Sequence, residues 1–245
     1  MNRLLSASVR RLKIAVLGVG DLFDRLFQTG DRRSEFERLY LVEEDPWRYR
    51  SSEEEHAKYK RTLTKLLQWA PGRENCLEVG CSIGVFTAQL GVKFKQVTSI
   101  DISNEALKKA ALVNATSTNV RFIERDLRSL TLQDRFDAIV CSEVLYYISE
   151  PFVKSVLERL AIHLLQDGVL VVVNEFPEGP SDRFHFKGWT ALLERQWVLR
   201  DRVVVQEASR PYQISVFAKP AFRRQWPGRR QDVVRRGDDG AFKPS

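Results

Sequence analysis

The chain has 245 residues, of which 43% are hydrophobic and 29% charged, and its formal net charge is +7. That profile is ordinary for a soluble protein, and the length suits one α/β domain with appendages or at most two small domains. It excludes a low-complexity or fibrous chain, and the longest early apolar run, Ile14 to Val19, is far too short to span a bilayer.

A chain this long hides roughly 70% of its extended surface on folding, so a sizeable core is expected. The three cysteines, Cys76, Cys81 and Cys141, show neither a CxxC nor a metal-ligand spacing. No metal is expected, and an odd cysteine count without a signal peptide points to the cytoplasm. Arginine crowds both ends: Arg3, Arg10 and Arg11 at one, and Arg223, Arg224, Arg229, Arg230, Arg235 and Arg236 at the other. Isolated Arg pairs bind nucleic acid or anionic membranes more weakly than a continuous basic block, so a solvated tail is favoured and no nucleic-acid partner is expected. The first 20 residues are Arg-bearing and acid-free like a transit peptide, but Asp21 and Asp24 follow at once and no cleavage-like site is visible.

Residues 1–44 read as an N-terminal helical extension, with apolar positions at Leu22, Phe23, Leu26 and Phe27 and then at Phe36, Leu39 and Tyr40. Asp45-Pro46-Trp47 is extended or turning because of its proline. Ser51 or Ser52 caps a helix over Glu53–Trp69, with three glutamates in its first turn where the helix dipole favours them, and Pro71-Gly72 stops it. From Asn75 strands and helices alternate. Strands are predicted at Cys76–Val79, Gln96–Ile100, Val120–Glu124, Phe136–Cys141 and Val169–Asn174. Helices are predicted at Val85–Leu90, Asn104–Asn114, Phe152–Leu164 and Lys187–Gln196. Such alternation builds a parallel sheet covered on both faces. Val203–Glu207 and Gln213–Ala218 follow with so short a link that they must form an antiparallel hairpin. The expected fold is therefore α/β: a Rossmann-like, seven-stranded, mainly parallel sheet with an antiparallel C-terminal hairpin. Its domain is placed at residues 45–220, followed by a basic, disordered tail at 221–245.

Chemistry gathers after the first strand. In Leu77-Glu78-Val79-Gly80-Cys81-Ser82-Ile83-Gly84 a strand ends, a turn of small residues follows and a helix opens. Glycine lets backbone approach a ligand, and a helix start offers unpaired N–H groups to an anion. Asp101 stands at the carboxyl end of the second strand, where a carboxylate accepts both hydroxyls of a ribose. Asp126, past the third strand, is placed to accept from an adenine amino group. Either acid alone reads as a solvated loop residue; both in register behind the turn favour an adenosine pocket.

Glu78-Val79-Gly80-x-x-x-Gly84, Asp101, Asp126-Leu127 and Phe136-Asp137-x-Ile139-Val140-x-x-Glu143-Val144-Leu145-Tyr146-Tyr147 resemble the successive motifs of class I methyltransferases that use S-adenosyl-L-methionine (SAM). Asp45-Pro46-Trp47, Ser51-Ser52, Glu55-x-x-Lys58-Tyr59 and the Ser142–Tyr147 run are similar to the nodulation protein S branch, which N-methylates an amino sugar of a chitooligosaccharide. The resemblance spans about residues 45–219. Two positions depart from the pattern: Ser82 replaces a common central glycine, and Glu54 stands where an aromatic residue is frequent. The resemblance implies that Glu78, Gly80, Cys81, Ser82 and Gly84 shape the methionine end of the site. It implies that Asp101 and Ile102 hold the ribose, and that Asp126 and Leu127 frame the adenine. Trp47, Lys58 and Tyr59 would form a lid that excludes water. The donor supplies the electrophile, so the protein has to position the partners, an effect of roughly 7–11 kcal/mol at most. Glu143, also at the cofactor, is the expected orienter or proton acceptor, and Tyr146 the expected wall of the acceptor site. The expected acceptor is a nitrogen of a small molecule or an oligosaccharide; transfer to an oxygen or nitrogen of another small metabolite is the alternative. His185 lies in a Pro/Gly-rich stretch expected to face it.

Three competing readings are weaker. Gly80-Cys81-Ser82-Ile83-Gly84 also fits the nucleophile elbow of α/β-hydrolases. No oxyanion segment precedes it, the elbow normally follows several strands, and Asp101 and Asp126 would have no task. Gly18-Val19-Gly20 mimics the start of a dinucleotide fingerprint, but no third glycine follows. A non-catalytic SAM-binding module remains as an alternative. Against it, the cofactor positions all keep usable side chains.

Overall fold

The structure is a computed structural model that describes residues 32–176 and 183–220, with residues 150 and 183–187 described in backbone only. The basic tail, the Gly18-Val19-Gly20 run and the apolar positions Leu22 to Phe27 lie outside the described residues, as does the side chain of His185.

Two helices precede the sheet, α1 (Arg33–Val42) and α2 (Glu53–Trp69). Ser52 caps α2 as expected, its side chain accepting from Glu55 N. Between them, both Asp45 carboxylate oxygens accept backbone N–H groups, of Tyr49 and Arg50, which sets the turn. Then follow β1 (Asn75–Val79), α3 (Val85–Gly91), β2 (Gln96–Asp101), α4 (Asn104–Val113), β3 (Val120–Glu124), β4 (Phe136–Ser142), α5 (Glu150–His163), β5 (Leu164–Glu175), α6 (Arg183–Gln196), β6 (Val198–Val205) and β7 (Tyr212–Ala218).

The seven strands lie in the order β3-β2-β1-β4-β5-β7-β6. The first five are parallel, and β7 runs antiparallel to both β5 and β6. This is the mixed sheet expected from the sequence. Alternation along each strand splits the core in two. Leu77, Val79, Ile139, Cys141, Leu170 and Val172 pack with Val156, Leu157 and Leu160 of α5 and Trp189 and Leu193 of α6. Cys76, Ala138, Val140, Val169, Val171 and Val173 pack on the other face with Tyr59 and Leu66 of α2 and Phe86 and Leu90 of α3.

Three elements start four or five residues ahead of expectation. β5 starts at Leu164, ahead of the predicted Val169, because exposed Gln166 and Asp167 and the buried Gly168 read as a turn yet stay extended. β6 is Val198–Val205 where Val203–Glu207 was predicted. It is an edge strand, and its Arg200-Asp201-Arg202 charges mask the alternation; Asp201 in fact accepts from Lys65 and Trp69 of α2, each at 2.8 Å. α6 begins at Arg183, ahead of Lys187.

Candidate functional site

At the carboxyl end of β1 the chain turns back on itself. Gly80 N and Cys81 N both donate to Ile100 O, at 2.8 and 3.1 Å, which pins the turn against β2. Gly80 and Ser82 have φ of +74° and +51°. The second is a strained value for a side-chain-bearing residue, and such strain gathers at functional sites. It aims Ser82 N at Asp101 Oδ2, 2.9 Å away, while Ser103 N donates to Oδ1 at 2.9 Å. Burial raises the Asp101 pKa, and these backbone donors partly offset it. Both oxygens keep lone pairs for further donors.

Glu78 lies beneath the turn. Thr87 Oγ1 and Ser99 Oγ donate to its Oε2 at 2.5 and 2.8 Å, yet burial pushes its pKa up to about 7. A narrow crevice of about 20 Å³, partly open to solvent, runs over this region. Tyr49, Glu55, Tyr59, Gly80, Ser82 and Glu143 are among its lining residues. Tyr59 stacks on Phe86 at 5.0 Å between ring centres, which seats α2 over α3.

At the other end of the crevice, Lys58 is 3% exposed and sits among three carboxylates. Its Nζ lies 3.1 Å from Glu55 Oε1, 3.4 Å from Glu143 Oε1 and 3.0 Å from Glu175 Oε1. Burial alone would lower the lysine pKa, but Glu143, Glu175 and Glu55 hold it above its ordinary value. Burial raises Glu143 above the usual carboxylate range despite Lys58. Glu143 also has a positive φ, +53°, with its N–H on Val173 O and its Oε2 accepting from Glu175 N at 3.0 Å. Two backbone ties to β5 therefore fix a carboxylate in an unfavourable conformation just past β4.

α1 lies across the top. Tyr40 OH is 2.6 Å from Ser82 Oγ, and Trp47 Nε1 donates to the same hydroxyl at 3.3 Å. Glu37 accepts from Ser103 Oγ at 2.6 Å, Arg33 pairs with Glu124, and Phe36 meets Tyr147 edge-on. Lys109 donates to Tyr40 O and Glu43 O at the carboxyl end of α1, where a cation complements the helix dipole.

The structure thus brings Tyr59, Glu78, Gly80, Cys81, Ser82 and Glu143 to one crevice, with Lys58 paired to Glu143, Asp101 bonded to Ser82 N and Trp47 linked to Ser82 through the Tyr40 hydroxyl. Other expected residues have other contacts. A Cβ on Gly84 would come within 2.7 Å of Asn114 Nδ2 and 2.9 Å of Ala110 Cβ, so this glycine lets α3 approach α4. Asp126 binds Arg128 through its backbone N, Nε and Nη2. Leu127 packs in the core cluster of the α5 face, and Ile102 is half-buried. Tyr146 stands beside Tyr147, ring centres 4.6 Å apart, and burial raises its pKa.

The sequence did not single out Tyr40, Tyr49, Ser142, Glu175 or Arg210 as site residues, and it noted Glu55 only as part of a motif. Tyr40 carried a signal, the 36/39/40 spacing of a helix face. Glu175 and Arg210 carried none, because they reach Lys58 and Glu55 only through the folded sheet. Among the described residues, no three His, Cys, Asp or Glu side chains are arranged to hold a metal ion, and no helix is long and apolar enough to cross a membrane.

Residues 29–194 match the sequence pattern of the nodulation protein S (NodS) family. The chain belongs to that family. Nodulation protein S of Sinorhizobium fredii is 33% identical over 132 residues, 54% of this chain and 61% of that relative, so the chain spans about three fifths of its length. The N-methyltransferase NodS of Bradyrhizobium japonicum WM9, solved with S-adenosyl-L-homocysteine (SAH), superposes with a TM-score of 0.69. The match covers 78% of this chain and all of that one at 23% identity, a likeness of fold. A dTDP-3-amino-3,6-dideoxy-alpha-D-glucopyranose N,N-dimethyltransferase of Streptomyces fradiae is 29% identical over 105 residues, 42% of this chain and 40% of that enzyme. The NodS match takes in α1, the Gly80–Gly84 turn, Glu143 and Glu175; Arg210 lies beyond it.

Proposed function

We propose that this protein is a SAM-dependent N-methyltransferase of the cytoplasm, acting on the amino group of a small amino sugar or an oligosaccharide. The observation that carries this reading is the crevice itself. It joins the Gly80–Ser82 turn, bonded to Asp101, to the Lys58–Glu143 pair at its other end. Membership of the NodS family and the amino-sugar acceptor named for the Streptomyces relative support the same acceptor class. Three buried, unpaired cysteines suit a reducing compartment.

The residues present fit the donor. Glu78 and Glu143 in the lining suit a sulfonium cation, and Asp101 keeps lone pairs for a ribose diol. When bound, the donor supplies an activated methyl group. Gly80 lines the crevice for its methionine end, with Val144 Cγ2 2.9 Å from where a Cβ would stand. Tyr40 and Trp47 stand over the Ser82–Asp101 end, so α1 yields there to admit a nucleoside and then excludes water above it. Glu143, raised by burial, orients the acceptor nitrogen and takes its proton, since only the unprotonated amine is a nucleophile. Tyr146 walls the acceptor side.

Incubation with methyl-labelled SAM and a panel of amino sugars, deacetylated chitooligosaccharides and simple amines tests the reading. Label is expected on the nitrogen of an amino sugar. SAH binding with no labelled amine product removes the acceptor assignment, and absence of SAH binding removes the donor assignment.

A further inference from the structure

The ion cluster at the acceptor end of the crevice is short of one positive charge. Glu55, Glu143 and Glu175 surround Lys58, and Arg210 is the second cation, with Nη2 3.3 Å from Glu55 Oε1 and Nη1 3.1 Å from Glu175 Oε2. Most of the carboxylate oxygens are engaged. Glu55 Oε1 takes both cations, Glu175 gives one oxygen to each, and Glu143 divides its pair between Lys58 and Glu175 N. The exception is Glu55 Oε2. It is buried, has no hydrogen-bond partner among the described residues, and belongs to a side chain 4% exposed that lines the crevice.

An unpaired carboxylate oxygen shielded from water is destabilising unless a partner arrives. Nothing in the helix requires an acid there. Ser52 already caps α2, and Glu53 and Glu54 already place negative charge in its first turn. Lys58 has two other carboxylates.

We propose that Glu55 is a substrate-contacting residue that receives the acceptor amine as an ammonium ion on its free Oε2, making amine over hydroxyl the choice of this site. The inference rests on the N-methyltransferase reading and deepens it. Arrival of an ammonium balances three carboxylates with three cations and satisfies the orphan oxygen. A hydroxyl leaves the negative charge unbalanced. Lys58 acts as a positioning residue, holding Glu55 Oε1 and leaving Oε2 for the acceptor, while Arg210 contributes charge alone. The donor's own α-ammonium shares this chemistry, so the experiment separates the two sources.

Calorimetric titration of the SAH-loaded protein compares a β-1,4-linked glucosamine disaccharide with cellobiose, its hydroxyl counterpart. The diamine is expected to bind at least about tenfold more tightly, as a charge-assisted hydrogen bond implies. Glu55→Gln brings the two sugars level and leaves SAH affinity unchanged. Arg210→Gln, on a half-exposed side chain, deepens the charge deficit and tightens diamine binding, the opposite sign from any folding defect. Equal affinity for the two sugars, no binding of the diamine, or a preference that survives Glu55→Gln overturns the proposal. Loss of SAH affinity in Glu55→Gln with the sugar preference intact also overturns it, by giving Oε2 to the donor. Failure of the unmodified protein to bind SAH overturns the methyl-transfer reading as well, whereas a missing amine preference with SAH bound overturns this inference alone.

Discussion

The hydroxyl of Tyr40 lies 2.6 Å from that of Ser82, so a helix that precedes the sheet is bonded to the turn after its first strand. Tyr40 is 3% exposed, and Trp47 Nε1 donates to the same oxygen. Tyr40→Phe keeps the ring and removes the acceptor. The expected cost is about 1 kcal/mol for each of the two hydrogen bonds lost. For a chain of this size each such loss lowers Tm by roughly 2–4 °C, read by calorimetric melting. An unchanged Tm means that α1 is held by its Glu37, Phe36 and Lys109 contacts alone.

Asp101 is held by two backbone N–H groups, one from the turn and one from the cap of α4. Asp101→Asn keeps the size of the side chain but removes the charge and sets its NH2 against one of these two backbone donors. In the proposed pocket that change takes a charged acceptor from the ribose hydroxyls, a loss of roughly 1.5–3 kcal/mol, or about ten- to a hundredfold in SAH affinity. Titration with SAH measures it. Equal affinity in both proteins places the ribose elsewhere.

Glu78 makes stability depend on pH. Its folded pKa of about 7 lies above the ordinary value of 4.5, with burial as the main cause. The folded protein therefore binds the proton more tightly than the unfolded chain. The stabilisation is fully present below the unfolded value and is lost as pH rises through about 7. Glu78→Gln removes this dependence. Urea unfolding at a series of pH values is expected to show the variant gaining on the parent between pH 5 and 8, at roughly 1.4 kcal/mol per pH unit at most. Parallel stability profiles would mean that Thr87 and Ser99 already keep Glu78 ionised.

Much of this architecture was legible because it is written in local periods. Short apolar runs such as Cys76–Val79 and Phe136–Cys141, alternating with helical segments and punctuated by the Gly80–Gly84 turn, announce a parallel sheet and where its strands end. The turn, Asp101 and Glu143 could be named for the same reason, since each sits just past a strand and the parallel topology brings those ends together. Charge pairing across the sheet was not legible. Lys58 and Glu175 are 117 residues apart, and Arg210 and Glu55 are 155 apart, with no periodicity linking them. The tasks of Gly84 and Asp126 were obscure for a different reason. A glycine that admits Ala110 and one that faces a ligand look alike in sequence, and Arg128 two residues on gave no sign that it folds back onto Asp126.

Lys58 offers the sharpest test of the cluster. Its side chain is 4% exposed, and all three neighbouring carboxylates lose a cation if it is removed. Lys58→Met keeps the aliphatic stem, so packing on α2 changes little, yet buried negative charge is left uncompensated. The expected cost is about 3–5 kcal/mol at neutral pH. Lys58 is the main influence lowering the Glu143 pKa, so without it that pKa rises further above its unfolded value. By the same linkage the penalty is largest at high pH and shrinks as pH falls and Glu143 takes up a proton. Glu143→Gln in the Lys58→Met background mimics that protonation and is expected to recover part of the loss at pH 8. Urea unfolding of the parent and both variants at pH 6 and pH 8 reads both effects. A penalty independent of pH, or a double variant no more stable than Lys58→Met, would mean that the lysine stabilises this region by packing and that the carboxylates around it are already neutral.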